Sequence, residues 1–175
     1  MNIAIVSYSY TGNNDMLAAC VARDLTATHI KITTQRPLTM VSIIMDMSFS
    51  RTPKVQPDPK QLKSYDMILF FVPVWMGHVA SPLRAYLRYL KSSPQAYGFF
   101  SISGGADGGN PKLYGELVKR TGAKPVILLD QHIKDLAVFH SKPTRSDTSA
   151  YKISEAEAGR LSAIAVAEVK KAFHI

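Results

Sequence analysis

Met67-Ile68-Leu69-Phe70-Phe71-Val72-Pro73-Val74-Trp75-Met76-Gly77-His78-Val79-Ala80-Ser81-Pro82 reads as a strand, a loop and the start of a helix. The uncharged run from Met67 to Trp75 suits a strand over 67–74 buried on both faces. It is far short of the roughly 18 residues a membrane helix needs. Ser81 and Pro82 then open a helix reaching residue 90, with serine expected at the N-cap and proline at the first helical position. A strand buried on both faces needs helices on both sides, so the rest of the chain is read for alternation.

Working toward the amino terminus, a short helical turn is expected over 60–64, after a surface loop over 51–59 that holds three prolines. Met40, Ile43, Ile44 and Met47 repeat at helical spacing, and 29–33 reads as a strand. Met16, Leu17, Cys20, Val21 and Leu25 mark another helix, and the apolar residues 3–8 are a first strand, not a signal peptide. Toward the carboxyl terminus, 97–103 and 125–129 are strands flanking a helix over 111–121 that Gly122 ends. A long helix over 154–173 closes the chain, with Ser154 and Glu157 as a capping box and an apolar stripe of Leu161, Ile164, Ala165, Val169 and Ala172. Residues 130–152 form the one long connection without obvious structure, a candidate functional excursion.

Five strands alternating with helices imply an α/β architecture, a three-layer doubly wound parallel sheet, because right-handed crossovers lay each helix against the sheet. Of the two strand orders common in such folds, 2-1-3-4-5 places a ligand crevice beside the ends of strands one and three. The 175 residues, 46% of them hydrophobic, suffice for one substantial core, so a single domain over 1–175 is expected. Cys20 is the only cysteine, which rules out an intrachain disulfide and fits a reducing, cytoplasmic compartment. The net charge of +8 draws anionic partners. Its lysines and arginines are scattered without interleaved aromatics, so no nucleic acid is expected as a partner. No membrane span is expected either.

Three loops follow strands one, three and four. The first, Ser9-Tyr10-Thr11-Gly12-Asn13-Asn14, combines hydroxyls, amides and a glycine before a helix, where free backbone N–H groups and the helix dipole attract a phosphate. An ordinary polar helix cap explains the same composition equally well. The loop lacks both G-x-x-x-x-G-K-[ST] and G-x-G-x-x-G, so neither a P-loop nor a dinucleotide-binding turn is present. In the second, Pro73, Val74, Trp75, Met76 and Gly77 offer a flat apolar wall and a flexible backbone. The third, Ser103-Gly104-Gly105-Ala106-Asp107-Gly108-Gly109-Asn110, has four glycines in six residues and suits close backbone approach.

These loops resemble those of flavodoxins and flavodoxin-like NAD(P)H oxidoreductases, whose first loop reads [ST]-x-T-G-x-[ST] around the FMN phosphate. Ser9, Thr11, Gly12 and Asn13 fit; Asn14 replaces the usual hydroxyl residue, and Asp15 adds a negative charge. The proline, aromatic, glycine and serine-proline of the second loop match as well. The resemblance implies FMN as cofactor, held by Ser9 to Asn14, by Pro73 to Gly77, and by Ser103, Gly104, Gly105 and Asn110. It implies backbone hydrogen bonds from Gly104 and Gly105 to the ring's polar edge.

The resemblance further implies an FMN-dependent oxidoreductase moving reducing equivalents from NAD(P)H to a small acceptor such as a quinone, by hydride transfer through N5. Two alternatives stand beside it: a flavodoxin-like single-electron carrier docking on a redox partner protein, and a non-catalytic phosphate-ligand-binding domain. Typical flavodoxins are acidic and cover the flavin with an aromatic of the third loop. This basic chain has no aromatic there, which favours the enzyme, although Tyr97, Tyr114 or residues 130–152 could supply a cover. Homodimers are common among such reductases.

Of the histidines, only His78, beside Gly77, is placed to reach a substrate as a weak catalytic candidate. The five show no paired spacing for a metal. Cys20 is expected as a buried structural thiol, and Met40, Met45 and Met47 as core residues before pocket residues.

Overall fold

The computed structural model describes residues 1–106 and 108–173; Asp107, His174 and Ile175 lie outside the described residues. A five-stranded parallel sheet runs through its centre, formed by β1 (Ile3–Ser7), β2 (Thr28–Lys31), β3 (Met67–Phe71), β4 (Ala96–Ser103) and β5 (Ile127–His132) in the order β2-β1-β3-β4-β5. This is the expected order 2-1-3-4-5. Register pairs Ile5 with Leu69, Val6 with Phe70, and Phe70 with Phe99.

Alternation along the central strands divides the core in two. Ala4, Val6, Ile68, Phe70 and Phe99 face α3 (Leu83–Ser92) and α4 (Leu113–Thr121). Ile3, Ile5, Met67, Leu69 and Phe71 face α1 (Asn13–Asp24) and α7 (Glu155–Phe173). The rings of Phe71 and Phe100 stack on this second face, with centroids 4.7 Å apart. Every side chain of β1 and β3 is buried, the reason both read as almost continuous apolar runs, broken only by Ser7.

Several helix signals are used as expected. Ser154 Oγ accepts the Glu157 N–H at 3.2 Å while the Glu157 carboxylate accepts the Ser154 N–H at 2.7 Å, a closed capping box. Gly122 ends α4 at φ 79°, its N–H reaching the Val118 carbonyl. Ile164 and Ala172 of the expected α7 stripe instead face outward; Ala158 and Ser162 take the inner face beside Leu161, Ala165 and Val169.

The other departures come from tertiary contacts. Residues 74–75 leave the third strand for a two-residue hairpin with His78–Val79. The second strand is Thr28–Lys31, and Thr33–Thr34 forms a separate ribbon with Val55–Gln56, inside the expected proline-rich loop. Ser81 does not cap α3: its hydroxyl donates to the buried Asp46 carboxylate at 3.1 Å, and the helix begins two residues later. The fifth strand runs past residue 129 to His132. The segment expected to lack structure holds α5 (Ile133–Leu136) and α6 (Arg145–Ala150), the latter opened by a Thr144–Asp147 capping box. Among the described residues no helix is long and apolar enough to cross a membrane.

Candidate functional site

The chain leaves β1 for α1 on one face of the sheet and leaves β3 for α3 on the other, so a crevice opens between their carboxyl ends. A cavity of about 340 Å³ lies there, within the range of small-molecule sites. Ile102 and Ser103 form its floor, Trp75 and Tyr10 one wall, and Met40, Ile43 and Ile44 of α2 (Met40–Ser48) another. A neighbouring hollow of about 500 Å³ shares Val74, Met76, Ser103 and Gly104 with it and runs beneath the third loop. Ser103 lines both, and its hydroxyl is buried without a hydrogen-bond partner. Such an orphan group costs stability until a ligand or water pairs it.

The first loop is shaped by its own side chains. Gly12 takes a left-handed φ of 98°, and Ser9 Oγ accepts the N–H groups of Gly12 at 2.9 Å and Asn14 at 3.2 Å. Those N–H groups at the start of α1 converge on an oxygen, the arrangement that also holds an anion. The Asn14 side chain is paired twice with Ile102, donating to its carbonyl and accepting its N–H, both at 2.9 Å. Asn13 likewise donates to the Tyr151 carbonyl and accepts the Ile153 N–H. Lys152 donates to the Thr11 carbonyl and brings a cation to the loop.

Asp15 points away from this loop. Its carboxylate accepts the Ser7 hydroxyl at 2.6 Å, and Ser7 Oγ lies 2.9 Å from His29 Nε2. With the single Ser7 proton spent on Asp15, the His29 ring must donate through Nε2. Burial, helped by the Lys31 charge, pushes the His29 pKa below its ordinary 6.5, with Asp15 opposing. The unfolded chain therefore binds the proton more readily, and folding stability should fall as pH drops below about 6.5, levelling off below the folded-state pKa. Urea midpoints measured across this window should decline more in the native protein than in a His29→Gln variant; parallel curves would remove His29 as the cause.

No protein-family model and no curated protein matches the sequence. Solved structures do match. A flavoprotein of Lactobacillus acidophilus in complex with FMN is 18% identical with a TM-score of 0.62, over 74% of this chain and 93% of that one. A protein of Bacteroides eggerthii assigned as a flavoprotein is 16% identical with a TM-score of 0.62, over 94% and 98%. A short-chain flavodoxin associated with a bacterial microcompartment is 15% identical with a TM-score of 0.51, over 98% and 99%. The fold is flavodoxin-like. Identities this low carry the architecture alone, so the residues of the crevice have to be read from its geometry.

Within the flavodoxin-like crevice, Tyr10, Thr11, Pro73, Val74, Trp75, Met76, Ser103 and Gly104 come together in the main cavity, and Gly77, Gly105 and Asn110 in the neighbouring hollow. Ser9, Gly12, Asn13 and Asn14 stand behind the lining, the asparagine side chains committed to the protein's own backbone. The half-buried Trp75 ring is edge-on to Tyr8 at 5.7 Å and Tyr10 at 6.4 Å. Burial, with Tyr10 and Asp15 nearby, pushes the Tyr8 pKa up to about 12, which keeps that phenol protonated. The Asn110 amide donates to Asp130 at 2.8 Å.

His78 leaves the crevice altogether: exposed, with its Nδ1 3.2 Å from the Glu116 carboxylate. The weak catalytic assignment therefore has no geometric basis. Tyr97 cannot cover the crevice, since it is buried and bonded to Thr121 and the Ala123 carbonyl. Tyr114 lies on α4, outside both hollows. Of residues 130–152, Ile133, Thr148 and Ser149 line the main cavity.

Sequence reasoning missed α2 as a wall. Met47 is buried as expected, whereas Met40 is 59% and Met45 40% exposed, with Met40 in the cavity lining. The capping box that opens α6, Thr144-Arg145-Ser146-Asp147, is visible in the sequence and could have placed Thr148 on a helix. No sequence signal points to Lys152.

Proposed function

We propose that this chain is an FMN-binding electron-transfer protein whose cofactor sits in the crevice beside β1 and β3. The observation that carries the reading is the joining of an apolar cavity, an unpartnered Ser103 hydroxyl and a converging set of backbone N–H groups at one switch point. The residues suit the group. Thr11, which lines the cavity, and Lys152 on its carbonyl would meet the phosphate, and the N–H groups of Gly12 and Asn14 just behind the lining would reach it once released from Ser9 Oγ. Trp75, Tyr10, Met40 and Ile44 would flank the ring, and Ser103 with the Gly104 backbone would meet its polar edge. When bound, FMN supplies the redox chemistry, and the protein supplies position, electrostatics and access. The solved Lactobacillus acidophilus structure holding FMN supports the same choice.

The carrier reading is supported by the likeness to a short-chain flavodoxin over nearly the whole chain. A second reading, an NAD(P)H oxidoreductase reducing a small acceptor such as a quinone, is favoured by the uncovered hairpin tip. Met76 there is 70% exposed at φ 52°, so no described residue packs over that tip of the crevice.

The test is the visible spectrum of FMN-reconstituted, desalted protein under anaerobic conditions, before and after NADPH. A retained flavin band that NADPH leaves oxidised supports the carrier. Bleaching supports the enzyme, and no retained flavin returns the crevice to some other phosphate ligand. Trp75→Ala removes an aromatic wall, while Gly12→Asp adds charge and strain at a positive φ. Each should weaken FMN retention by at least about tenfold, near 1.4 kcal/mol; unchanged affinity in both would sink the site.

A further inference from the structure

We propose that the groove between α3 and α4 is a second binding site, for a small anion carrying two or more linked phosphates. Arg84, Arg88 and Lys91 recur at i, i+4 and i+7 and so share one face of α3. Lys112 and Lys119 line the opposite wall of a cavity of about 660 Å³. Arg88 and Lys91 on one wall and Lys112 and Lys119 on the other are four cations across one groove, more than a single phosphate needs and enough for a short polyphosphate.

Among the described residues, the one carboxylate lining the groove does not neutralise it. Glu116 Oε1 is taken by Arg120 Nε at 2.7 Å, and Oε2 by the Val79 N–H at 3.0 Å and by His78. Arg84 is only 3% exposed. Its Nη atoms donate to the carbonyls of Asp46 and Arg51 and to Met47 Sδ, which leaves Nε buried without a partner. Burial first, and then the Arg120 charge, make the Arg84 cation less favourable, outweighing Glu116 and Asp46. An anion seated between the helices would offset that crowding.

The shape selects the class of ligand. Arg84 is recessed, and a side chain built on Gly115 would meet nothing within 4 Å, so the groove is open to a slender group. The flat carboxylate face of an acidic protein would reach only the rim lysines. Through the Glu116 bond to Val79 the site is joined to the hairpin whose tip lines the crevice. The inference does not depend on the flavin reading.

Titration calorimetry of the whole chain with inorganic tripolyphosphate, in physiological salt, tests it. Saturable one-site binding is expected, weakened at least about tenfold by the exposed pair Arg88→Glu/Lys119→Glu. The pair Lys170→Glu/Lys171→Glu, on α7 across the sheet, removes the same charge and should leave affinity within about twofold. Absence of saturable binding overturns the site. So does equal loss in both pairs, which would mean net charge alone. Unchanged affinity in the Arg88/Lys119 pair overturns it too, by moving the anion elsewhere, the first loop included.

Discussion

Asn14→Ala should lower the free energy of unfolding by about 2–4 kcal/mol and weaken ligand retention in the crevice at the same time. The side chain is 1% exposed, and both its polar atoms are spent on the Ile102 peptide groups at 2.9 Å. Truncation leaves one buried N–H and one buried carbonyl without partners, each worth about 1–3 kcal/mol. It also opens a small void beside the end of β4. Ile102 and Ser103 form the crevice floor, so the loss of this staple reaches the site directly. Urea unfolding of the cofactor-free protein should show a lower midpoint at an unchanged slope. Asn14→Asp, which keeps the volume and loses the donor, should be no better. A loss below about 0.5 kcal/mol in both would mean that the sheet alone aligns the first loop with β4.

Gly105→Val should cost about 2–4 kcal/mol, because two effects add there. Gly105 holds φ 73°, a region that β-branched residues rarely enter, and a Cβ at this position would sit 2.5 Å from His132 Cβ. His132 cannot easily yield, since its ring lies 3.2 Å from the Asp130 carboxylate at the end of β5. Gly108→Val separates the two effects. Its φ is 104° with nothing within 4 Å of the added carbon, so only the backbone strain of about 1–2 kcal/mol applies. Chemical denaturation of both variants should rank Gly105→Val as the more damaging. Equal losses would show that the His132 contact is relieved by small shifts. The glycine at 105 thus makes room for the protein's own residues 130–152, a requirement independent of any cofactor.

Signals made of local chemistry were legible. The Ser154–Glu157 box and Gly122 act within one turn of chain, and the apolar runs of β1 and β3 report burial on both faces. Ser81 misled because an N-cap is one partner among several for a hydroxyl, and the buried Asp46 competes more strongly than a helix end. The apolar spacing of α2 suggested core, yet Met40, Val41, Ile44 and Met45 are all at least 40% exposed. Periodicity reports that a stripe exists, and what covers it depends on elements far away in the chain.

By itself, the sequence determined the alternation of strands and helices and the three loops that follow strands one, three and four; between the two common strand orders, the likeness of those loops to flavodoxins pointed to 2-1-3-4-5, and the sheet itself shows it. The alternation and the loops follow from short-range patterns and from the handedness of crossovers. Only the tertiary structure decided which atoms in those loops remain available. Asn13 and Asn14 turn to Ile153 and Ile102, His78 turns to Glu116, and Lys152 and Thr148 arrive from a segment more than a hundred residues after the first loop. A side chain's partner is chosen by competition among groups brought together in space, and their separation along the chain carries no trace of it.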